Sequence, residues 1–455
     1  MTEQLRRSLR ETAEQAENYP VYERALRTSR RRGRTRAAVA VAGLAVLAVL
    51  LVTGVPGMVR VVSEPAAPRP GAPSLPDRLE VPPAFHTRLA GNPPGAASLI
   101  FGGPPFAFDP NRMINEEGDL AVVGAREDVT RVWSVPYEAG AGESVALSPD
   151  GTRLAVEGGI DRRRISLTVV DLVTGGTRAL GDWGGPGPAR AIAWSPDGRT
   201  LAVSAYHNLH DELGLVDVAT DTYREIGALT PDSFPFAFNF AFAPDGQRFV
   251  YRADDQLIVV GPDLKEQSRF PIAADTFLAG RGAWLPDGSA LLTQRRQPDG
   301  SWLLTGRDPA TGAQVPGVRW TTGPGLSAAR LLGWGPDGDP VLVAYVAEDG
   351  YEPNGRGAPG TYDAVRTVRV VALSSSGRTR TLLTAADGIE TLDVSADVVA
   401  GGLVRPGDLP RFGVLSVVGA VLLAGVGALV ILGFVRRRAR RRALGDDASW
   451  LNSSE

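Results

Sequence analysis

One tetrapeptide pattern constrains this chain more than any other feature. Ser148-Pro149-Asp150-Gly151 returns as Ser195-Pro196-Asp197-Gly198, Ala243-Pro244-Asp245-Gly246, Leu285-Pro286-Asp287-Gly288 and Gly335-Pro336-Asp337-Gly338, with the aspartates 47, 48, 42 and 50 residues apart. Each is a turn by its chemistry. Proline presets φ to about −65°, the aspartate side chain caps nearby backbone amides, and glycine accepts positive φ. Each also lies between two short apolar runs, as Ala191-Ile192-Ala193-Trp194 before and Leu201-Ala202-Val203 after. A single such turn carries little information. Five in register between strand-like runs mean a hairpin repeat.

Two further strand-like stretches follow each of these hairpins, for example residues 165–172 with 177–180, and 213–218 with 223–226. Four short strands per 42–50 residues is the size of one propeller blade. Five complete repeats leave the ring open. The unpaired stretches 390–394 and 398–404, joined to 119–125 and 129–135, predict a sixth blade of two C-terminal and two N-terminal strands. Such velcro closure removes sheet edges that would otherwise template aggregation. Residues 96–110 leave a seventh, partial blade as the alternative. The expected fold class is therefore all-β, a six-bladed β-propeller over residues 106–404, and the 54 Gly and 35 Pro suit its many turns.

The repeat resembles the WD-like unit of TolB-type six-bladed propellers, best at Trp194-Ser195-Pro196-Asp197-Gly198 and over roughly residues 140–345. The serine is replaced in the third to fifth repeats, and the first and last blades depart from the pattern. The resemblance implies the fold. It does not imply TolB's role, because TolB-type proteins are soluble and carry an additional domain.

This chain instead has two long apolar segments. Residues 37–55 contain no charge, and residues 412–435 contain only Ser416 as a polar side chain. At about 1.5 Å per residue, both are long enough to cross a hydrocarbon core of about 30 Å as helices. The first is longer than a signal-peptide core and lacks a clean Ala-x-Ala site, which favours an uncleaved signal-anchor. Residues 1–36 carry a net charge of +5 and residues 436–455 a net +3; as the chain totals −3 and neither apolar segment is charged, the remainder carries −11. Arginine runs at 30–36 and 436–442 abut the outer flanks of both segments. The positive-inside rule then places both tails in the cytoplasm and the acidic middle outside, in a bacterial plasma membrane. The same runs, flush against membrane spans, speak for topology and against nucleic acid. The expected domains are a basic tail (1–36), a transmembrane helix (37–55), a Pro-rich linker (56–105), the propeller (106–404), a short linker (405–411), a second transmembrane helix (412–435) and a second basic tail (436–455).

The chain has no cysteine, so disulfides, thiolate metal sites and cysteine nucleophiles are excluded. Its single lysine, Lys265, follows no glycine-rich loop, and neither His-Glu-x-x-His nor Gly-x-Ser-x-Gly occurs. No cofactor is expected and no catalytic residue stands out. His207 and His210, followed by Asp211 and Glu212, are the one group with metal-ligand chemistry, and they read as a solvated loop tip. The turn residues Asp150, Gly151, Asp197, Gly198, Asp245, Gly246, Asp287, Gly288, Asp337 and Gly338 read as structural.

Topology still defines a face. The Pro-Asp-Gly turns join first to second strands and share one side of the disc. The connections from second to third strands, 157–164, 204–213, 295–301 and 347–366, share the other. Long loops on a rigid scaffold are where binding concentrates. Candidate ligand-binding residues there are Arg162, Arg163, Arg164, Tyr206, His207, His210, Arg295, Arg296, Trp302, Tyr351 and Tyr362. The expected function is a non-enzymatic protein- or glycan-binding module at the cell surface. The alternatives are a transmembrane sensor, with an anti-sigma-factor-like layout and a cytoplasmic partner at residues 1–36, and a propeller-face hydrolase or lactonase.

Overall fold

A computed structural model describes residues 71–407, except for 83–86, 104–116, 128, 137–139, 158–165, 182, 184–188, 208–209, 230–238 and 352–364. Both apolar segments and both basic tails lie outside the described residues, as do Arg162, Arg163, Arg164 and Tyr362. Among the described residues no helix is long and apolar enough to cross a membrane.

Six sheets of four or five strands form the domain. Blade 1 comprises Ala146–Leu147, Arg153–Glu157, Ser166–Asp171 and Thr177–Gly181. Blade 2 comprises Ala189–Trp194, Thr200–His207, His210–Asp217 and Thr222–Leu229. Blade 3 comprises Phe240–Phe242, Phe249–Ala253, Gln256–Val260 and Glu266–Pro271. Blade 4 comprises Thr276–Leu278, Leu291–Arg296, Trp302–Arg307 and Gln314–Thr321. Blade 5 comprises Leu326–Trp334, Pro340–Ala347, Val365–Leu373 and Thr379–Ala385. Each is an antiparallel meander, the pattern that short hairpin turns impose.

Blade 6 closes the ring, with a different division of strands from the one the sequence suggests. Its order is Thr391–Val394, Ala97–Gly103, Glu117–Gly124, Thr130–Pro136, so one C-terminal strand pairs with three N-terminal ones. Ala97–Gly103 sits inside this blade and removes the seven-bladed alternative. The expected strand at 398–404 is mostly helix: Ala396–Gly401 buries Val398 and Val399, and Gly402 at φ 63° ends it by donating to the Val398 and Val399 carbonyls.

Strand pairing also begins well before residue 106. Leu75–Pro76 pairs in parallel with Val404–Arg405, and Arg78–Leu79 adds a fifth strand to blade 5 beside Thr379–Ala385. The buried Arg405 guanidinium secures this junction by donating to the carbonyls of Ser74, Gly124 and Ala125. Part of the Pro-rich stretch is therefore folded onto the disc. Its prolines lack an amide donor, so the sequence shows no strand alternation there.

Candidate functional site

The Pro-Asp-Gly turns are built as capped loops. In blade 1 the Ser148 hydroxyl donates to Asp150 at 2.6 Å and accepts the Arg153 amide at 2.9 Å, while Asp150 also accepts the Thr152 amide at 3.0 Å. Ser195 and Asp197 repeat this at 2.6 Å, with the Thr200 amide on Ser195 at 2.9 Å. Partial burial pushes the Asp150 carboxyl up, but the bonds from Ser148 and Thr152 outweigh it and leave its pKa below the ordinary value. Where serine is absent, Asp245 accepts the Gln247 and Arg248 amides and Asp287 accepts the Ser289 amide and hydroxyl. Gly151, Gly198, Gly246, Gly288 and Gly338 all have positive φ, between 65° and 76°. Asp337 lies in the blade 5 turn, which closes through the Gly338 amide on the Gly335 carbonyl.

On the opposite face the structure changes the sequence reading at two places. Residues 204–213 are not a long loop: the ladder of blade 2 runs to its tip, with His207 directly opposite His210, because pairing satisfies backbone groups a loop would leave to water. The side chains of Tyr206, His207 and His210 lie outside the described residues; Asp211 accepts a hydrogen bond from Ser204 at 3.1 Å. Trp302 is not a loop residue either. It opens a strand opposite Arg296 and is 0% exposed, so its bulk fills the core. Arg295 and Arg296 end the facing strand, and the Arg296 guanidinium stands 5.7 Å over the Tyr351 ring. Of the candidate residues, the structure brings together Arg296 and Tyr351, joining blade 4 to the connection that follows the second strand of blade 5.

A buried ionic cluster on the inner strands escapes the sequence reading. Asp393, in the first strand of blade 6, accepts from Arg281 at 2.8 Å and from Arg330 at 3.3 Å. Arg281 comes from an interruption in the inner strand of blade 4, and Arg330 from the inner strand of blade 5. Arg330 also donates to the Leu392 carbonyl at 2.6 Å and to the Tyr345 hydroxyl at 3.3 Å, and that hydroxyl donates to Glu143, in the turn that leads into blade 1, at 3.4 Å. Burial pushes the Glu143 carboxyl up to about 7, although Arg330 and Tyr345 pull the other way. Burial opposes the Arg330 charge, but Tyr345, Asp393 and Glu143 outweigh it and raise its pKa. Gly142, at φ 79°, packs against this guanidinium: a Cβ there would lie 2.3 Å from Arg330 Nη2. The cluster staples blades 4, 5, 6 and 1 at the inner strands. Its sequence signal is a lone arginine inside Ala328-Ala329-Arg330-Leu331-Leu332 and a lone acid inside Thr391–Val394.

Outside the axis, adjacent blades are clamped by a second recurring device. Trp194, Trp284 and Trp334 each stand three residues before the aspartate of their motif. Each indole donates to the inner strand of the preceding blade: Trp194 to the Ala146 carbonyl at 3.0 Å, Trp284 to Ala241 at 3.2 Å and Trp334 to Trp284 at 2.7 Å. Arg153 covers Trp194 at 4.9 Å and Arg248 covers Trp284 at 5.0 Å. Among the described residues a cleft of about 380 Å³ opens between blades 1 and 2 and one of about 670 Å³ between blades 2 and 3.

The strand pairing defines a six-bladed β-propeller whose closing blade is shared by both ends of the domain. No family model matches the chain, and no curated protein does. Solved structures similar to it include TolB from Acinetobacter baumannii, 17% identical over 66% of this chain and 66% of that one, with a TM-score of 0.40. A TolB candidate from Agrobacterium tumefaciens is 17% identical over 66% of this chain and 98% of its own, with a TM-score of 0.37. A candidate 6-phosphogluconolactonase from Bacteroides uniformis is 13% identical over 65% of this chain and 98% of its own, with a TM-score of 0.35. The blade count and the site geometry rest on this chain's own hydrogen bonds.

Proposed function

We propose that the propeller is a non-catalytic binding module for a protein or cell-wall glycan, held outside the bacterial plasma membrane by helices at residues 37–55 and 412–435, with both tails cytoplasmic. The observation that carries this reading is the parallel pairing of Leu75–Pro76 with Val404–Arg405. The domain's two ends thereby leave side by side, which suits attachment to two neighbouring spans. The charge asymmetry of the tails supports the orientation.

Two experiments test it. The chain has no cysteine, so single cysteines introduced at Thr222 and Ser449 report topology without background. A membrane-impermeant maleimide on intact cells labels the first and spares the second; labelling of both, or of neither, ends the topological reading. Crosslinking in intact cells then identifies partners, with and without residues 1–36. An extracytoplasmic partner set that survives the deletion supports the binding module. Loss of partners on deletion favours the sensor reading, which draws on the same rigid attachment of both domain ends to the sheets.

A further inference from the structure

The repeat allows the blade seams to be compared position by position. Three residues after the motif aspartates stand Arg153, Thr200 and Arg248, and three residues before the next ones stand Trp194, Phe242 and Trp284. At the first seam the Arg153 guanidinium stacks on Trp194 and donates to the Gly198 carbonyl at 2.7 Å. At the third seam Arg248 stacks on Trp284. A Cβ on Gly198 would lie 2.8 Å from Arg153 Nη2, and one on Gly288 2.9 Å from Arg248 Nη2, so the guanidinium occupies the same slot in both. At the second seam the arginine is Thr200. The nearest atom to a Cβ on Gly246 is Pro196 Cδ at 3.7 Å, and the slot is open.

A second tether fails at the same seam. Arg178 of blade 1 donates to the Val218 and Ala219 carbonyls of blade 2, at 2.8 and 3.2 Å. The side chain of its repeat equivalent, Arg224, makes no hydrogen bond among the described residues. The resulting cleft of about 670 Å³ is lined by Phe242, Thr200, Gly246, Asp217 and Arg224, and falls within the size range of ligand sites. Asp217 accepts the Ala219 and Thr220 amides at 3.0 and 2.9 Å, and these bonds hold its carboxyl below the ordinary range, so it is an anion at neutral pH.

We propose that the seam between blades 2 and 3 receives an arginine side chain presented by a partner protein, completing in trans the clamp that Arg153 and Arg248 make in cis. The walls supply the groups of the clamp: the Phe242 ring, which borders the cleft, the Gly246 carbonyl, repeat equivalent of the Gly198 carbonyl that accepts from Arg153, and the Asp217 carboxylate. Lysine lacks the flat delocalised face and the forked donors. The net charge of −11 over residues 56–411 draws in a basic partner. Arg224, which lines the same cleft, is offset by a carboxylate that the partner presents beside the incoming arginine. The inference rests on the reading of the propeller as a binding module and is independent of where the membrane lies.

The test uses the full chain in detergent, titrated calorimetrically with capped arginine, capped lysine and capped citrulline. Arginine is expected to bind about tenfold more tightly than either analogue. Thr200→Arg fills the slot from within; it is expected to weaken arginine binding about tenfold and to raise the melting temperature. Asp217→Asn keeps an acceptor for the turn amides, removes the charge, and is expected to weaken binding severalfold. The proposal is overturned if capped arginine shows no saturable binding, if lysine binds equally, or if folded Thr200→Arg and Asp217→Asn both bind as the parent does. In-cell crosslinking of Thr200→Arg separates the two claims. Partners lost in this variant support the slot, whereas partners fully retained overturn it and leave the binding-module reading intact.

Discussion

The two halves of the ring are held together by different chemistry. Blades 4, 5, 6 and 1 meet through a largely buried ionic cluster at the inner strands, in which Asp393 receives both Arg281 and Arg330. Blades 1 and 2, and blades 3 and 4, are clamped further out by Arg153 on Trp194 and Arg248 on Trp284. The axial cluster spans the blade built from both ends of the chain, where a failed closure would open the whole ring. The outer clamps join blades that are already neighbours in sequence. A buried charge network is costly to break and geometrically exacting, which suits a closure point. An arginine stacked on an indole at a partly wet seam adds little, so the repeat tolerates its loss between blades 2 and 3.

The sharpest break of this comparison is Asp393→Ala. It leaves Arg281 and Arg330 without their shared carboxylate, and denaturant unfolding is expected to show a loss of about 3–5 kcal/mol. A loss near that of an outer clamp would remove the distinction between the halves.

Glu143 gives the axial cluster a pH dependence that the outer clamps lack. Its folded value of about 7 lies above its ordinary 4.5, so the folded state favours the protonated form. The associated stability is full below pH 4.5 and is lost as pH rises through about 7, by up to about 3 kcal/mol. Unfolding free energies measured across this window fall with pH in the parent, and Glu143→Gln flattens the fall.

Arg153→Ala removes one outer clamp, with its stacking and its bond to Gly198, and is expected to cost about 1–2 kcal/mol in the same assay. Ser148→Ala removes one hydroxyl that both donates to Asp150 and accepts from Arg153, for about 1 kcal/mol. Blade 3 already carries Ala243 at this position and keeps its turn through Asp245 and through the Gly246 amide on the Ala243 carbonyl.

Much of the blade architecture is legible because its signals are local. Pro-Asp-Gly presets backbone angles over four residues, and alternation within a strand reports burial two residues at a time. The length of one blade follows from that spacing. The division of the closing blade does not: the pairing of Thr391–Val394 with Ala97–Gly103 joins strands almost 300 residues apart, and no local pattern states the partner. Residues 396–401 illustrate the same limit, since a short valine-rich run reads as strand until packing against the disc and the left-handed Gly402 make it a helix. Trp302 misled for a related reason. It follows the 295–301 connection in sequence and so reads as part of it, while its burial depends on neighbours that only the sheet supplies.

The repeat therefore reached the fold class from sequence alone: turns, strands and the length of a blade are properties of short windows in which backbone stereochemistry dominates. The tertiary structure decided everything that depends on long-range proximity. It chose one C-terminal and three N-terminal strands for the closure, gathered Glu143, Arg281, Arg330, Tyr345 and Asp393 into one cluster, and left the seam at Thr200 and Phe242 open where its neighbours are clamped. The physical reason is that charges and clefts take their energy from what surrounds them, and those surroundings exist only once the blades have met.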